Sequence, residues 1–256
     1  MKNILLSGKN IRKSFSQNGI EAEILKSVTA DIYEGDFTVI MGASGAGKST
    51  LLYALSGMDG ITGGEVIFKG QKINNLSENK MAELRANEFG FVFQQTHLVS
   101  NLTLFENVAA AGYAGKTGKG RNIKEIGEKA CRLLSQMHAE NAKDRLPSQV
   151  SGGEAQRAAI ARAMINDPTL IFADEPTGAL NKANSDDVLK LLTELNRSGQ
   201  SILMVTHDVR AAIHGSRILY LEDGQILDEL TLPPYKENEE KERADKLNSW
   251  LSSLRW

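Results

Sequence analysis

The chain has 256 residues, 41% of them hydrophobic and 24% charged, with a formal net charge of −2. That is enough apolar matter for a full core in one large or two small domains, and it gives no electrostatic case for nucleic acid as the main partner, local basic patches aside. The single cysteine, Cys131, excludes an internal disulfide and fits a reducing compartment; its helical setting reads as that of a small buried hydrophobe.

The N-terminal run Ile4-Leu5-Leu6 is too short for a signal peptide. Residues 4–34 predict strands about a loop: Ile4 to Leu6, Ile11 to Phe15, Ile24-Leu25 and Val28 to Ile32, with Gln17-Asn18-Gly19 as the turn. Phe15 closes one of these strands, and two readings stand: an aromatic that stacks on an adenine, or a plug at a strand end, the commoner role for a lone aromatic.

Phe37 to Met41 is an apolar, β-branched run suited to a buried strand, and Thr50 to Leu55 opens a helix. Between them Gly42-Ala43-Ser44-Gly45-Ala46-Gly47-Lys48-Ser49 fits G-x-x-x-x-G-K-[ST] at every fixed position. Glycines let backbone N–H groups wrap a phosphate without a Cβ in the way, and the helix points its positive end at the same place. Lys48 is expected to reach the β- and γ-phosphates and Ser49 to offer its hydroxyl to Mg²⁺. The stretch reads as a nucleotide phosphate site.

Gly63 to Gly70 predicts a short strand closed by glycines, Glu78 to Asn87 a helix, and Phe89 to Phe93 a strand that ends in Gln94-Gln95. Gln94 at a strand mouth reads either as a group that orders Mg²⁺ or the attacking water, or as an ordinary strand terminator. Asn101 to Ala111 reads as a helix capped by Thr103, and Ile123 to Met137 as an amphipathic one. The Gly/Lys-rich segment 112–120 between them reads as a loop. Its Gly115-Lys116-Thr117 lacks the earlier glycine and the preceding strand of a phosphate loop, so that reading is rejected.

Ser151-Gly152-Gly153 opens a long helix through Met164 and offers a second anion cradle, with a hydroxyl, N–H groups and a helix dipole converging. Two cradles far apart in one chain are explained economically if two copies face each other, each closing on the other's nucleotide. Leu170 to Ala173 makes a buried strand, and Asp174 and Glu175 emerge at its C-terminal end, where open α/β sheets hold ligands. Asp174 is expected to hold Mg²⁺ through water and Glu175 to polarise the attacking water. Ser201 to Val205 is a final buried strand with His207 at its mouth, read as a γ-phosphate contact or a structural histidine. Arg217 to Leu232 gives two short strands about Asp223-Gly224, and Pro233-Pro234 ends the compact part. The tail is charged from Lys236 to Lys246. It then carries Leu247, Trp250, Leu251 and Leu254 on one helical stripe with Trp256 beyond; such a stripe packs on its own domain more often than on a partner or a membrane surface. No apolar stretch approaches the roughly 18 residues of a spanning helix, so the chain is expected to be cytoplasmic.

Together these residues resemble the ATP-binding cassette (ABC) ATPases over about residues 4–232. Walker A matches at 42–49, the Q-loop at Gln94, the signature at Ser151-Gly152-Gly153, Walker B at 170–174 with Glu175, and the switch histidine at His207. Phe15 matches the adenine-stacking aromatic. The runs around Gln94, Glu175 and His207 look most like the branch of lipoprotein-release, macrolide-export and bacitracin-resistance ATPases. The resemblance implies an α/β P-loop NTPase with a RecA-like core (about 1–94 and 169–232), an antiparallel β subdomain, and an inserted α-helical signature subdomain (about 95–168), followed by a tail at 233–256. It implies a nucleotide-binding set of Phe15, Gly42, Ala43, Ser44, Gly45, Ala46, Gly47, Lys48, Ser49, Thr50, Ser151, Gly152 and Gly153. Ser49, Gln94 and Asp174 are the implied Mg²⁺ ligands, and Glu175, His207, Gln94 and Lys48 the catalytic groups.

The same resemblance implies a head-to-tail homodimer that sandwiches two ATP and drives a membrane permease from the inner face of the cell membrane. Transport, antimicrobial-peptide resistance, lipoprotein extraction and signalling all occur in this branch. Soluble cassettes acting on ribosomes or DNA usually carry two cassettes or a long coiled-coil insertion, and the short span from Gln94 to Ser151 speaks against them. Two departures from the family pattern are mild: Val150 where leucine is usual, and Glu154 where glutamine is commoner. A third is Asn181 in place of the usual aspartate, which removes a charge from the loop expected to couple the two ATP sites.

Overall fold

In a computed structural model the described residues are 2–17, 20–115 and 123–254. The Gln17-Asn18-Gly19 turn, most of the Gly/Lys-rich loop and Trp256 therefore lie in whole or in part outside the described residues. The chain divides into two compact units, Met1–Ser77 with Asn196–Trp256, and Glu78–Leu195.

The first unit holds two sets of strands. β1 (Ile4–Gln17) and β2 (Ile20–Tyr33) are antiparallel strands of 14 residues each. The shorter pieces expected here are joined across register shifts at Ile4/Leu6, Gly8/Ile11, Ile11/Lys13 and Lys13/Ser14, which break the alternation that marks a long strand in sequence. β4 (Gly63–Phe68) pairs with β1, and the two-residue β5 (Gln71–Lys72) closes the order β2-β1-β4-β5.

The second set runs β10-β9-β3-β8. β3 (Phe37–Met41) and β8 (Ser201–Thr206) are buried at every position, as parallel strands covered on both faces must be. β3 also lies parallel to β9 (Arg217–Glu222), which turns back into β10 (Gln225–Thr231). Asp223 and Gly224 sit at φ 46° and 75° in that turn, the double positive φ that a tight hairpin needs. α1 (Lys48–Ser56) starts two residues before the expected Thr50.

After α7 (Val209–Ala212), the tail forms α8 (Glu240–Ser253) and folds back within this unit. Leu247 and Leu251 are buried, Trp250 Nε1 donates to Asp228 at 2.8 Å, and the stripe packs on its own domain. Arg243 is buried as well: its guanidinium donates to the carbonyls of Ile213 (2.7 Å), Pro233 (2.7 Å) and Gly215 (2.6 Å). Arg243→Ala strips a charged donor from three carbonyls and is expected to cost about 3 kcal/mol, read as a lower urea midpoint. A midpoint equal to that of the parent would show that the tail adds nothing to stability.

The second unit is mainly helical. α2 (Glu78–Glu88), α3 (Leu104–Ala114), α4 (Ile123–Gln136), α5 (Gly152–Met164) and most of α6 (Lys182–Arg197) accompany the parallel pair β6 (Phe89–Phe93) and β7 (Leu170–Asp174). Thr103 caps α3 in a reciprocal box with Glu106. α3 begins later than the expected Asn101 because residues before the cap lack helical bonding partners. Cys131 on α4 is half-buried, more exposed than the small core hydrophobe expected.

Candidate nucleotide-binding site

In the first unit, the register of β3 against β8 pairs Met41 with Thr206. The loop that begins at Gly42 and His207 therefore leave neighbouring strand ends side by side, and His207 is exposed there. The loop turns through Gly45 (φ 85°) and Gly47 (φ 101°), a backbone that L side chains adopt only under strain. It curls around Lys48, whose buried ammonium donates to Gly42 O at 2.8 Å and Ala43 O at 3.0 Å. Ala43, Ser44 and Gly45 are exposed, Ala46 is buried, and Ser49 and Thr50 are half-buried.

Helix α1 opens on Gly47 with no side-chain cap and no acidic residue in its first turn. Among the described residues every other α-helix opens on a capping side chain or an acidic first turn. The positive end of α1 is thus the one left for an anion from outside the chain, which fits a nucleotide phosphate.

Sequence reasoning missed what braces this loop. A Cβ on Gly42 would lie 2.2 Å from the Leu221 carbonyl oxygen, and Gly224 N donates to Ala46 O at 3.2 Å. The β9–β10 hairpin is thus the wall behind the phosphate loop. Phe15 is 46% exposed and so is no core plug. The Lys13 ammonium stands 4.8 Å from its ring centroid while bonded to Asp59 and Gly60 O.

In the second unit, β6 and β7 pair Phe93 with Asp174, so Gln94 and Glu175 leave adjacent strand ends. Asp174 is 9% exposed. Glu175 sits at φ 45°, a left-handed conformation uncommon for a residue with a side chain and found where surrounding structure imposes it. Gln94 lies over the following turn, since a Cβ on Gly178 would come within 2.8 Å of its amide nitrogen.

Ser151 caps α5, but its hydroxyl is engaged. It accepts from Glu154 N and donates to the Glu154 carboxylate at 2.7 Å, and Ser151 N donates to the same carboxylate at 2.8 Å. The bonds from Ser151, backbone first, hold the Glu154 carboxyl below the usual range. The cradle expected with an open hydroxyl and open N–H groups is thus partly filled by its own glutamate. Gly153 is required by packing, because a Cβ there would lie 2.3 Å from Asn184 Oδ1 at the start of α6.

Asn181 Oδ1 caps α6 by accepting from Asn184 N at 3.0 Å. An aspartate would make the same bond and add charge at a helix N-terminus. Asn181→Asp is expected to keep or slightly raise the melting temperature while altering hydrolysis per dimer or its cooperativity. Unchanged rate and Hill coefficient would sink that idea.

Taken together, the α/β core, the phosphate loop at the end of a parallel strand and carboxylates at the end of another define a P-loop NTPase. The family described as ABC transporter matches residues 25–178, more than half of the chain. The macrolide export ATP-binding/permease protein MacB of Pasteurella multocida (strain Pm70) is 39% identical over all 256 residues. The chain spans 38% of that protein's length. Two solved structures of the ATP-binding cassette MJ0796, a bacterial ABC transporter cassette, are 37% identical with a TM-score of 0.83, covering 90% of this chain and 100% of theirs. Both are dimeric, and one is bound to ADP and Pi. The chain belongs to the ABC transporter family and is its ATPase cassette. Among the described residues no helix is long and apolar enough to cross a membrane.

Proposed function

We propose that the chain pairs with a second copy, head to tail, around two ATP and drives a separate membrane permease from the cytoplasmic face. The observation that carries this reading is the N-terminus of α1 beside Lys48, which among the described α-helices has neither a side-chain cap nor an acidic first turn. In this reading Lys48 and the loop 42–50 hold the phosphates, Phe15 stacks on the adenine, and Ser151, Gly152 and Gly153 close on the partner's nucleotide. Ser49 and Gln94 offer neutral oxygens and Asp174 an anionic one for Mg²⁺, a hard cation that takes few carboxylates and keeps phosphate oxygens and waters. Bound there, Mg²⁺ neutralises charge on the phosphates. Glu175 accepts a proton from the attacking water, and His207 contacts the γ-phosphate. The RecA-like core takes in about 1–94 and 169–232, and the signature subdomain about 95–168.

A cleft of about 300 Å³ in the second unit supports a permease contact near Gln94. Phe91, Phe93 and His97 line it, with Arg162, whose guanidinium donates to the His97 and Thr96 carbonyls at 2.7 Å each. A cytoplasmic segment of the permease seated there would press directly on the residues that follow Gln94. The test is a pull-down of tagged Glu175→Gln from native membranes with ATP. Recovery of a permease supports the reading and identifies the substrate route; ribosomal or DNA-bound partners without any membrane protein overturn it.

A further inference from the structure

Gln156 is 1% exposed, and its single amide nitrogen donates twice, to Phe93 O at 2.9 Å and Pro176 O at 2.8 Å. Phe93 directly precedes Gln94, and Pro176 directly follows Glu175. Gln156 itself stands on α5, whose N-terminus is the Ser151 loop. One buried side chain therefore ties the start of the signature helix to the backbone on which both Gln94 and Glu175 sit. All four segments belong to the second unit.

The strained backbone of Glu175 gives this tie its consequence. A residue at φ 45° stays there only if its neighbours are held on both sides. On the N-terminal side Asp174 is fixed in the β6–β7 ladder. On the C-terminal side the Glu175 carbonyl accepts from Gly178 N at 3.0 Å, and the Pro176 carbonyl is fixed by Gln156. Loss of the Gln156 bond loosens that C-terminal hold and lets the turn after Glu175 shift, and the carboxylate moves with it.

We infer that Gln156 is a positioning residue that relays the state of the Ser151 loop to Glu175 and Gln94, and so couples the two ATP sites of the dimer. The inference rests on the head-to-tail reading above: there the Ser151 loop meets the partner's nucleotide, while Glu175 is the group this chain brings to hydrolysis. A shift of α5 on closure is then carried to Glu175 through the Pro176 bond and to Gln94 through the Phe93 bond, without rearrangement of the sheet.

The test uses Gln156→Met, which keeps the volume and removes both donors, and Gln156→Asn, which keeps the amide on a shorter arm. Two readouts separate a relay from a merely structural role. In the Glu175→Gln background, the ATP concentration for half-maximal dimerisation is expected to move less than about threefold, because the Ser151 loop is intact. In the otherwise unaltered chain, Gln156→Met is expected to lower kcat by roughly tenfold to 10²-fold through misplacement of the base, with the Hill coefficient falling to one. Gln156→Asn lies between it and the parent and supplies the reading if the methionine variant melts early. Parental kcat and Hill coefficient in both variants overturn the inference, as does a parental Hill coefficient of one. Loss of dimerisation in a normally melting Gln156→Met also overturns it, since the residue then only builds the signature loop. Failure of the single Glu175→Gln chain to dimerise with ATP instead overturns the head-to-tail reading on which the relay rests.

Discussion

Glu175→Gln is expected to lower ATP turnover by roughly 10²- to 10⁴-fold, the usual contribution of a positioned general base, while leaving ATP binding and the fold intact. The substitution keeps size and shape but replaces the basic carboxylate that would take a proton from water with a neutral amide of negligible basicity. Its site is defined by the register that pairs Phe93 with Asp174 and by a backbone at φ 45° that glutamine and glutamate adopt at equal cost. Folding stability is therefore expected to match the parent in a thermal melt. With chemistry blocked and binding retained, the ATP-bound dimer accumulates, which size-exclusion chromatography with Mg²⁺ and ATP reads directly. Phosphate release within about threefold of the parent would remove Glu175 from the base role, since a general base supplies far more than that.

The second large effect belongs to the phosphate loop. In Gly42→Ala the new methyl would meet the Leu221 carbonyl oxygen at 2.2 Å, a backbone atom of the hairpin wall that cannot rotate aside. Relief requires the loop or β9 to move, and such overpacking is expected to cost about 3 kcal/mol and to abolish nucleotide binding by shifting the N–H groups that face the phosphates. Gly45→Ala is the control. Nothing lies within 4 Å of the point where its methyl would stand, yet φ is 85°, so only backbone strain of about 1 kcal/mol applies. Urea midpoints and titration with a fluorescent ATP analogue distinguish the two. Equal losses in both variants would show that conformation alone, and not the Leu221 contact, constrains Gly42.

What the sequence by itself determined is local chemistry. The run Phe37–Met41 is a buried strand because five consecutive apolar and β-branched residues suit a strand covered on both faces. Gly42 to Ser49 reads as a phosphate loop because glycines recur where φ must be positive, and Thr103 reads as a helix cap because its hydroxyl can accept from the first turn. Each of these rests on atoms a few residues apart, so a short window of sequence contains the whole interaction. The continuity of β1 and β2 was hidden because register shifts break the period-two pattern that reveals strands. Arg243 was hidden in another way, for a charged residue within a charged run reads as solvated until three carbonyls are seen around it.

Only the tertiary structure decided the contacts that position the site. Gln156 meets carbonyls 63 and 20 residues away, and Gly42 meets Leu221 across most of the chain. Partners so distant are brought together by the packing of whole elements, and no local propensity encodes which carbonyl a buried amide will find. The motifs thus name the chemistry, and long-range packing sets where its reacting groups stand.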